Sequence, residues 1–295
     1  MAVAMSYKKP FIIPPPSNRR SAEDAQVAIS DGSESDQVTV LNVLAERDHI
    51  FHRGRKSAFF GYCKRNFINH NTIQMIADLR KNMTRELTNI GFPDPNQHRN
   101  TWHNRNLSES NLPFLQASLA AGLYPNVASR RRGDINFKTL IVKQNSKIHV
   151  SSVNAMHGQP LSKESKVGRQ EFEYLVYGEL VRGVSRFTMS QTSHIATPLP
   201  FLLLCGDFRI RPARIGGSVE DSTSVMSVDN WIKYTCNKMD ASAISILRRR
   251  LNVVFLKIVA NPTEGFHNLS EYERYSLDAL SHVIKASFLA SPPRR

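Results

Sequence analysis

Five polar residues stand close together near the middle of the chain: Lys147, His149, Ser151, Ser152 and Asn154. They offer an ammonium, an imidazole, two hydroxyls and a carboxamide, a donor set that suits phosphate, a 2′-hydroxyl and base edges. The same residue types also serve as strand and turn chemistry, with Ser and Asn satisfying nearby backbone groups. Arg130, Arg131 and Arg132 precede them on an expected turn, either as phosphate contacts or as a solvated charge run. Arg182 and Arg186 follow the apolar run FEYLVY and join the candidates, as do Lys163, Lys166 and Arg169 in a polar loop. Arg53, Arg55, Lys56, Lys64 and Arg65 read as a solvated face or a docking edge. Tyr174, Tyr177 and Trp231 have rings able to stack on bases, yet their placement reads first as barrel core, and Cys63 reads as a buried helix residue.

No catalytic constellation stands beside these donors. The sequence holds no GxxxxGK[ST] to cradle a nucleotide phosphate, no GxSxG and no HExxH. His98 and His103 flank Trp102 without a cysteine or carboxylate at ligand spacing, so no metal site is expected. Asp207 and Asp229 read as turn formers at strand ends. The expectation is a chain without a cofactor or a catalytic site of its own.

The formal net charge of +14 points to a polyanionic partner, nucleic acid first and an anionic membrane second. The surplus is uneven: residues 47–105 hold eleven Lys and Arg against four Asp and Glu. At 41% hydrophobic residues the chain can build a sizeable core. No apolar run approaches the roughly 18 residues of a membrane span. Three widely spaced cysteines without a CxxC, and no secretory leader pattern, set the expectation of reduced thiols in an intracellular protein, nuclear or cytoplasmic.

These residues must be positioned by two kinds of structure. Upstream of residue 119 the periodicity is helical, with a polyproline-like connector at Pro14, Pro15 and Pro16. Asp36 is a candidate N-cap for a helix over 37–51. Helices are expected at 59–67 and 71–90, the second with a stripe of Ile73, Ile76, Met83, Leu87 and Ile90 ended by Gly91. A helix over 112–121 breaks at Tyr124-Pro125. Strands are then expected at 139–142 and 148–153 around a turn at Gln144-Asn145-Ser146, and again at 172–177, 181–189, 194–196, 199–204 and 228–236. Short strands at this spacing suggest a closed or nearly closed barrel. A helix over 241–259 follows, with Ile244, Leu247, Leu251, Val254 and Ile258 on one face and a mostly solvated Arg248-Arg249-Arg250. The last helix opens on Ser270 and Glu273, a capping box, and buries Leu277, Leu280, Ile284 and Phe288.

Several segments, in order along residues 1–258, resemble the C-terminal accessory region of DExH/DEAH-box RNA helicases, in the RNA helicase A / maleless-like branch. Ala4-Met-Ser-Tyr-Lys-Lys-Pro-Phe11 is similar to a helix exit of the type A-x-L-S-x-x-x-P-F. Ser35-Asp-Gln-Val-Thr-Val-Leu-Asn-Val43 resembles S-D-H-x-x-x-L-N. Tyr62-Cys-Lys-Arg-Asn-Phe67 with Asn71-Thr-Ile73 resembles F-C-x-x-N-F/Y-L-x-x-x-T-L. Ala121-Gly-Leu-Tyr-Pro-Asn-Val-Ala128 looks like A-G-x-Y-P-N-V-A, and His149-Val-Ser-Ser-Val-Asn154 like I-H-P-S-S-V-N. Leu175-Val-Tyr177, Thr197-Pro-Leu199 and Trp231-Ile232 match later strands.

The resemblance implies an α+β chain: a helical (ratchet-like) domain over 1–125 lacking its upstream part, an OB-like β barrel over 126–238, and C-terminal helices over 239–295. It implies single-stranded RNA as partner, with residues 147–154 facing its path. RecA-like lobes, in cis or in trans, would use the ATP and Mg²⁺. Three departures stand out: both motor lobes are absent, Gln37 replaces the family's His while a Trp expected soon after Leu44 is missing, and the basic, His-rich loop 94–106 has no counterpart. The alternative reading is a motorless protein-interaction module that docks on a helicase or ribonucleoprotein partner.

Overall fold

In the computed structural model the described residues are Val3, Met5, 7–94, 111–155 except Arg132, 172–215 except Ser185, and 218–290. The loop with His98, Trp102 and His103, the candidates Lys163, Lys166 and Arg169, and Arg132 lie outside them.

The N-terminal third is helical: α1 (Arg19–Ser30), α2 (Asp36–His52), α3 (Lys56–Arg65) and α4 (His70–Asn89). Its core is Val40, Val43, Leu44, Phe59, Cys63, Ile73 and Ile76. Burial raises the Cys63 thiol to about 11. The extended exit expected at Pro10 runs beside the turn after α3, where Ile12 N donates to Phe67 O at 2.8 Å and Asn69 N to Pro10 O at 2.7 Å. The cap of α2 is Ser35, not Asp36: the Ser35 hydroxyl accepts from Val38 N at 3.1 Å, one residue earlier than expected. That leaves the Asp36 carboxylate free to leave the helix. In α4 only the first half of the expected stripe is buried; Met83, Leu87 and Ile90 are exposed.

After α5 (Leu112–Leu123) the chain turns into a closed barrel of β1 (Val127–Arg131), β2 (Phe137–Thr139), β3 (Asn145–Ile148), β4 (Phe172–Arg182) and β5 (Phe187–Ile195). The order around it is β1-β2-β3-β5-β4, with β3 and β5 parallel and the other pairs antiparallel. Its interior is filled by Ala128, Phe137, Leu175, Tyr177 and Met189. The expected turn at Gln144-Asn145-Ser146 falls earlier, because Asn145 already pairs with Lys138. The expected strand over 181–189 straddles the β4–β5 turn.

Closure is complete by Ile195, so strands after it are not barrel strands. β6 (Phe208–Ile215), β7 (Ser218–Val228) and β8 (Ile232–Asn237) form a separate antiparallel sheet. The apolar run 199–204, expected as a strand, is the short helix α6 (Leu199–Leu204), with proline in its first turn and Phe201, Leu202 and Leu203 all buried. A short run buried on every side has no period to separate helix from strand. The helices α7 (Lys238–Ala260), α8 (Pro262–His267) and α9 (Glu271–Leu289) complete the described chain. The capping box of α9 is present, with Ser270 N donating to Glu273 at 2.7 Å and Glu273 N to the Ser270 hydroxyl at 3.3 Å. A second core joins the parts: Val127, Tyr174, Val176 and Ile195 on the outside of the barrel meet Phe201, Leu202, Met226, Val228, Ile232 and Ala241.

Candidate nucleic-acid interface

The barrel register brings some of the candidate cations together and separates others. Arg182 pairs with Phe187 across β4 and β5, Phe187 pairs with Ser146 across β5 and β3, and Lys147 is the next residue of β3. With strands about 4.8 Å apart, the backbones of Lys147 and Arg182 are roughly 10 Å from each other. Lys138, which opposes Asn145 on β2, extends the row. Arg186 closes the β4–β5 turn, its carbonyl accepting from Gly183 N at 2.8 Å. Lys138, Lys147, Arg182 and Arg186 are all exposed. The register sets Lys138 and Lys147 on the outer face and Arg182, in line with Ser146 and Phe187, on the inner-face side at the barrel mouth. These cations gather along a rim at one end of the barrel without sharing one face. Lys138 is absent from the sequence candidates, although the alternation Phe137-Lys138-Thr139 places it outward between two buried residues.

The arginine triplet does not join that rim. It begins inside β1 rather than on a turn, and Arg131 pairs with Phe172 at the other end of β4, roughly 30 Å from Arg182. Arg130 points into the barrel. Its Nε donates to Glu173 at 2.8 Å with the two side chains 1% and 3% exposed, and its guanidinium lies 4.5 Å from the centre of the Phe137 ring. A guanidinium enclosed in this way braces the barrel and has no face left for phosphate. Tyr174 and Tyr177 are core, and Trp231 packs half-buried against the second core.

Ser152 and Asn154 also serve packing. Together with Asp36 they dock the start of α2 onto β5. The Asp36 carboxylate accepts from Val153 N at 2.8 Å and from Thr192 N at 2.9 Å. The Ser152 hydroxyl lies 2.8 Å from that of Thr192. The Asn154 amide donates to Glu34 O at 3.0 Å and to the Thr192 hydroxyl at 2.9 Å. Gln37, where the resembling family has His, donates to Gln191 O at 2.7 Å and accepts from the Ser193 hydroxyl. His194 N donates to Glu34 O at 2.9 Å, and the His194 ring faces the Glu34 carboxylate at 3.1 Å. Gln191 adopts a left-handed φ of 54°, and its side chain lies where a Cβ on Gly178 would have to go. The SDQ and SSVN segments, far apart in sequence, are thus two halves of one joint.

Lys9 reaches the edge of this joint and donates to the Ser151 hydroxyl at 3.0 Å. Burial lowers its pKa, opposed by the charges of Asp36 and Glu179. Burial likewise raises that of Asp36, opposed by Lys9 and by the donors from Val153, Ser152 and Thr192. His149 stands at the border between joint and rim. Its Nδ1 accepts from Ser151 N at 3.1 Å and lies 2.8 Å from the Ser151 hydroxyl, which places the proton of the neutral ring on Nε2.

A second polar joint ties the end of α5 to the later sheet. The Tyr124 hydroxyl donates to Asp229, whose other oxygen accepts from Asp207 N at 2.9 Å. Asp229 sits in the β7–β8 turn with φ 49°, as a turn former. Arg248, expected in solvent, instead donates to Leu202 O of α6 at 2.8 Å and to Gly206 O in the turn after it at 2.6 Å.

Comparison with known proteins agrees with this architecture. A family model described as "Oligonucleotide/oligosaccharide-binding (OB)-fold" matches residues 115–208. That match runs from α5 through the barrel to the start of β6. Along most of its length the chain is similar to the ATP-dependent RNA helicase DHX29 of Mus musculus, at 26% identity over 91% of this chain and 18% of that protein. It is similar to the ATP-dependent DNA/RNA helicase DHX36 of Homo sapiens at 24% identity over 99% of this chain and 27% of that protein. The DExH-box ATP-dependent RNA helicase DExH1 of Arabidopsis thaliana matches at 26% identity over 89% of this chain and 24% of that protein. The chain spans about a quarter or less of the length of these relatives.

Proposed function

We propose, from the premise that this chain corresponds to the C-terminal OB-fold region of DExH/DEAH-box RNA helicases, that it grips single-stranded RNA by its backbone. The observation that carries this reading is the basic rim of Lys138, Lys147, Arg182 and Arg186, exposed on one end of the barrel. Point charges at one end of the barrel neutralise phosphates and carry little base information, so binding is expected to be weakly sequence-dependent and strongly salt-dependent. The Nε2 proton of His149, beside the rim, adds a donor for phosphate or a 2′-hydroxyl.

The helical unit has a positioning role. Its joint to the barrel through Asp36 is buried and directional, so force or displacement applied to one unit is passed to the other. ATP hydrolysis with Mg²⁺ falls to RecA-like lobes, in cis or in trans, since this sequence has no P-loop. The molecule would act inside the cell, in nucleus or cytoplasm; no described helix is long and apolar enough to cross a membrane. A fluorescence titration of labelled oligouridylate with this chain tests the reading. Binding that weakens steeply with salt is expected, and undetectable or salt-insensitive binding overturns it.

A further inference from the structure

Helix α7 packs against α6, β7, β8, α8 and α9 along one side, burying Ala241, Leu251 and Val254. Its opposite side is exposed and is more apolar than the face such a helix normally shows to water. Met239, Ser242, Ile246, Arg249, Val253 and Leu256 follow one another at alternating steps of three and four residues, and all are exposed. Met239 is 83% exposed, Ile246 47%, Val253 61% and Leu256 60%. That spacing is the a/d repeat of a helix-pairing seam, sustained here for about 25 Å, with Ser242 and Arg249 as its polar positions. Val259, also exposed, flanks Leu256 and extends the apolar stripe at its C-terminal end.

The charges on the seam select what can cover it. Arg249 occupies a seam position and Arg250 flanks it, held 4.7 Å from the centre of the exposed Tyr272 ring on α9. A second copy of α7 laid parallel sets Arg249 against Arg249. Laid antiparallel about the middle of the stripe, it sets Arg249 against Ile246 of the other copy, which still leaves the two Arg249 only about 4.5 Å apart along the axis. Both arrangements set like charges together, in a chain whose net charge is already +14. An amphipathic helix with Leu or Ile at its own seam positions and Glu flanking them fits the stripe and neutralises the arginines.

We propose that the outer face of α7 is a docking seam for an acidic amphipathic helix of a partner protein, independent of the RNA rim. The test uses the whole chain and a synthetic three-heptad peptide with Leu and Ile at a and d and Glu at e and g, followed by fluorescence anisotropy. The peptide is expected to bind, a Lys-flanked version with the same apolar positions is expected not to, and V253E/L256E and R249E/R250E each weaken the Glu peptide by about tenfold or more. These positions are on the surface, so the variants keep their circular dichroism and their oligouridylate affinity. Failure of the Glu peptide to bind overturns the proposal. Equal binding of the Lys peptide overturns the charge selection. Dimerisation of the chain that V253E/L256E abolishes assigns the seam to a second copy instead. Loss of oligouridylate affinity in the same variants assigns the face to RNA.

Discussion

At the joint between α2 and the barrel, Asp36, Gln37, Ser152, Asn154 and Ser193 are buried and bonded to one another or to backbone amides. On the rim of the same barrel, Lys138, Lys147, Arg182 and Arg186 stand in solvent. Lys147 and Ser152 are five residues apart in one segment that reads, residue by residue, as a uniform set of donors. What separates them is where the chain turns after β3. Lys147 is still on the outer strand surface, whereas the turn at 149–152 folds Ser152 and Asn154 under α2, where both are buried and their donors meet partners. A polar side chain is thus available to a ligand only where packing has not already used it, and residue type alone does not show which.

Variants separate the two regions, beginning with the joint. Asp36→Ala leaves the amides of Val153 and Thr192 buried without their acceptor, and a loss of about 2–5 kcal/mol is expected in urea unfolding. Arg130→Ala leaves Glu173 buried without the guanidinium it pairs with and is expected to cost about 3–5 kcal/mol. The protein that remains folded is expected to keep its affinity for RNA, which sets Arg130 apart from the rim cations. Gly178→Ala pushes against the Gln191 side chain and is expected to cost about 1–3 kcal/mol, since Gln191 also holds Gln37.

The joint should also respond to pH with a definite sign. Burial raises the Asp36 pKa, so the stability this group contributes is complete below its unfolded value, about 4, and is lost as pH rises through the folded value. The stability advantage of the wild type over Asp36→Asn is therefore expected to shrink between pH 4 and 7 in paired thermal melts. An advantage that grows over that range contradicts the direction of the shift. On the rim, Lys147→Glu and Arg182→Glu are expected to leave urea unfolding essentially unchanged while lowering RNA affinity.

Much of this arrangement was legible from residues. The change from helical to strand structure near Tyr124, the cap of α9 and the core face of α7 follow from period and capping alone. The SDQ and SSVN segments were visible as family-like motifs, but their meeting across more than a hundred residues is a tertiary fact that no local pattern encodes. Arg130 was unreadable for the same reason: an arginine inside a strand is as compatible with solvent as with a buried Glu173 until the register is known. The strands β6 and β7 were hidden by their polarity and by Pro212, which argues against a strand. Pro212 is tolerated because β6 is the edge of its sheet and the register with β7 shifts at that residue.

The most direct measurement is the salt dependence of oligouridylate binding by the wild type, Lys147→Glu/Arg182→Glu and a conservative Arg130→Lys chain. If the rim holds the phosphates, the slope of log affinity against log salt falls by about 0.7 for each phosphate that the double variant no longer neutralises, and Arg130→Lys keeps the wild-type slope. An unchanged slope in the double variant, or a slope abolished by Arg130→Lys alone, would contradict the assignment of RNA binding to the exposed rim.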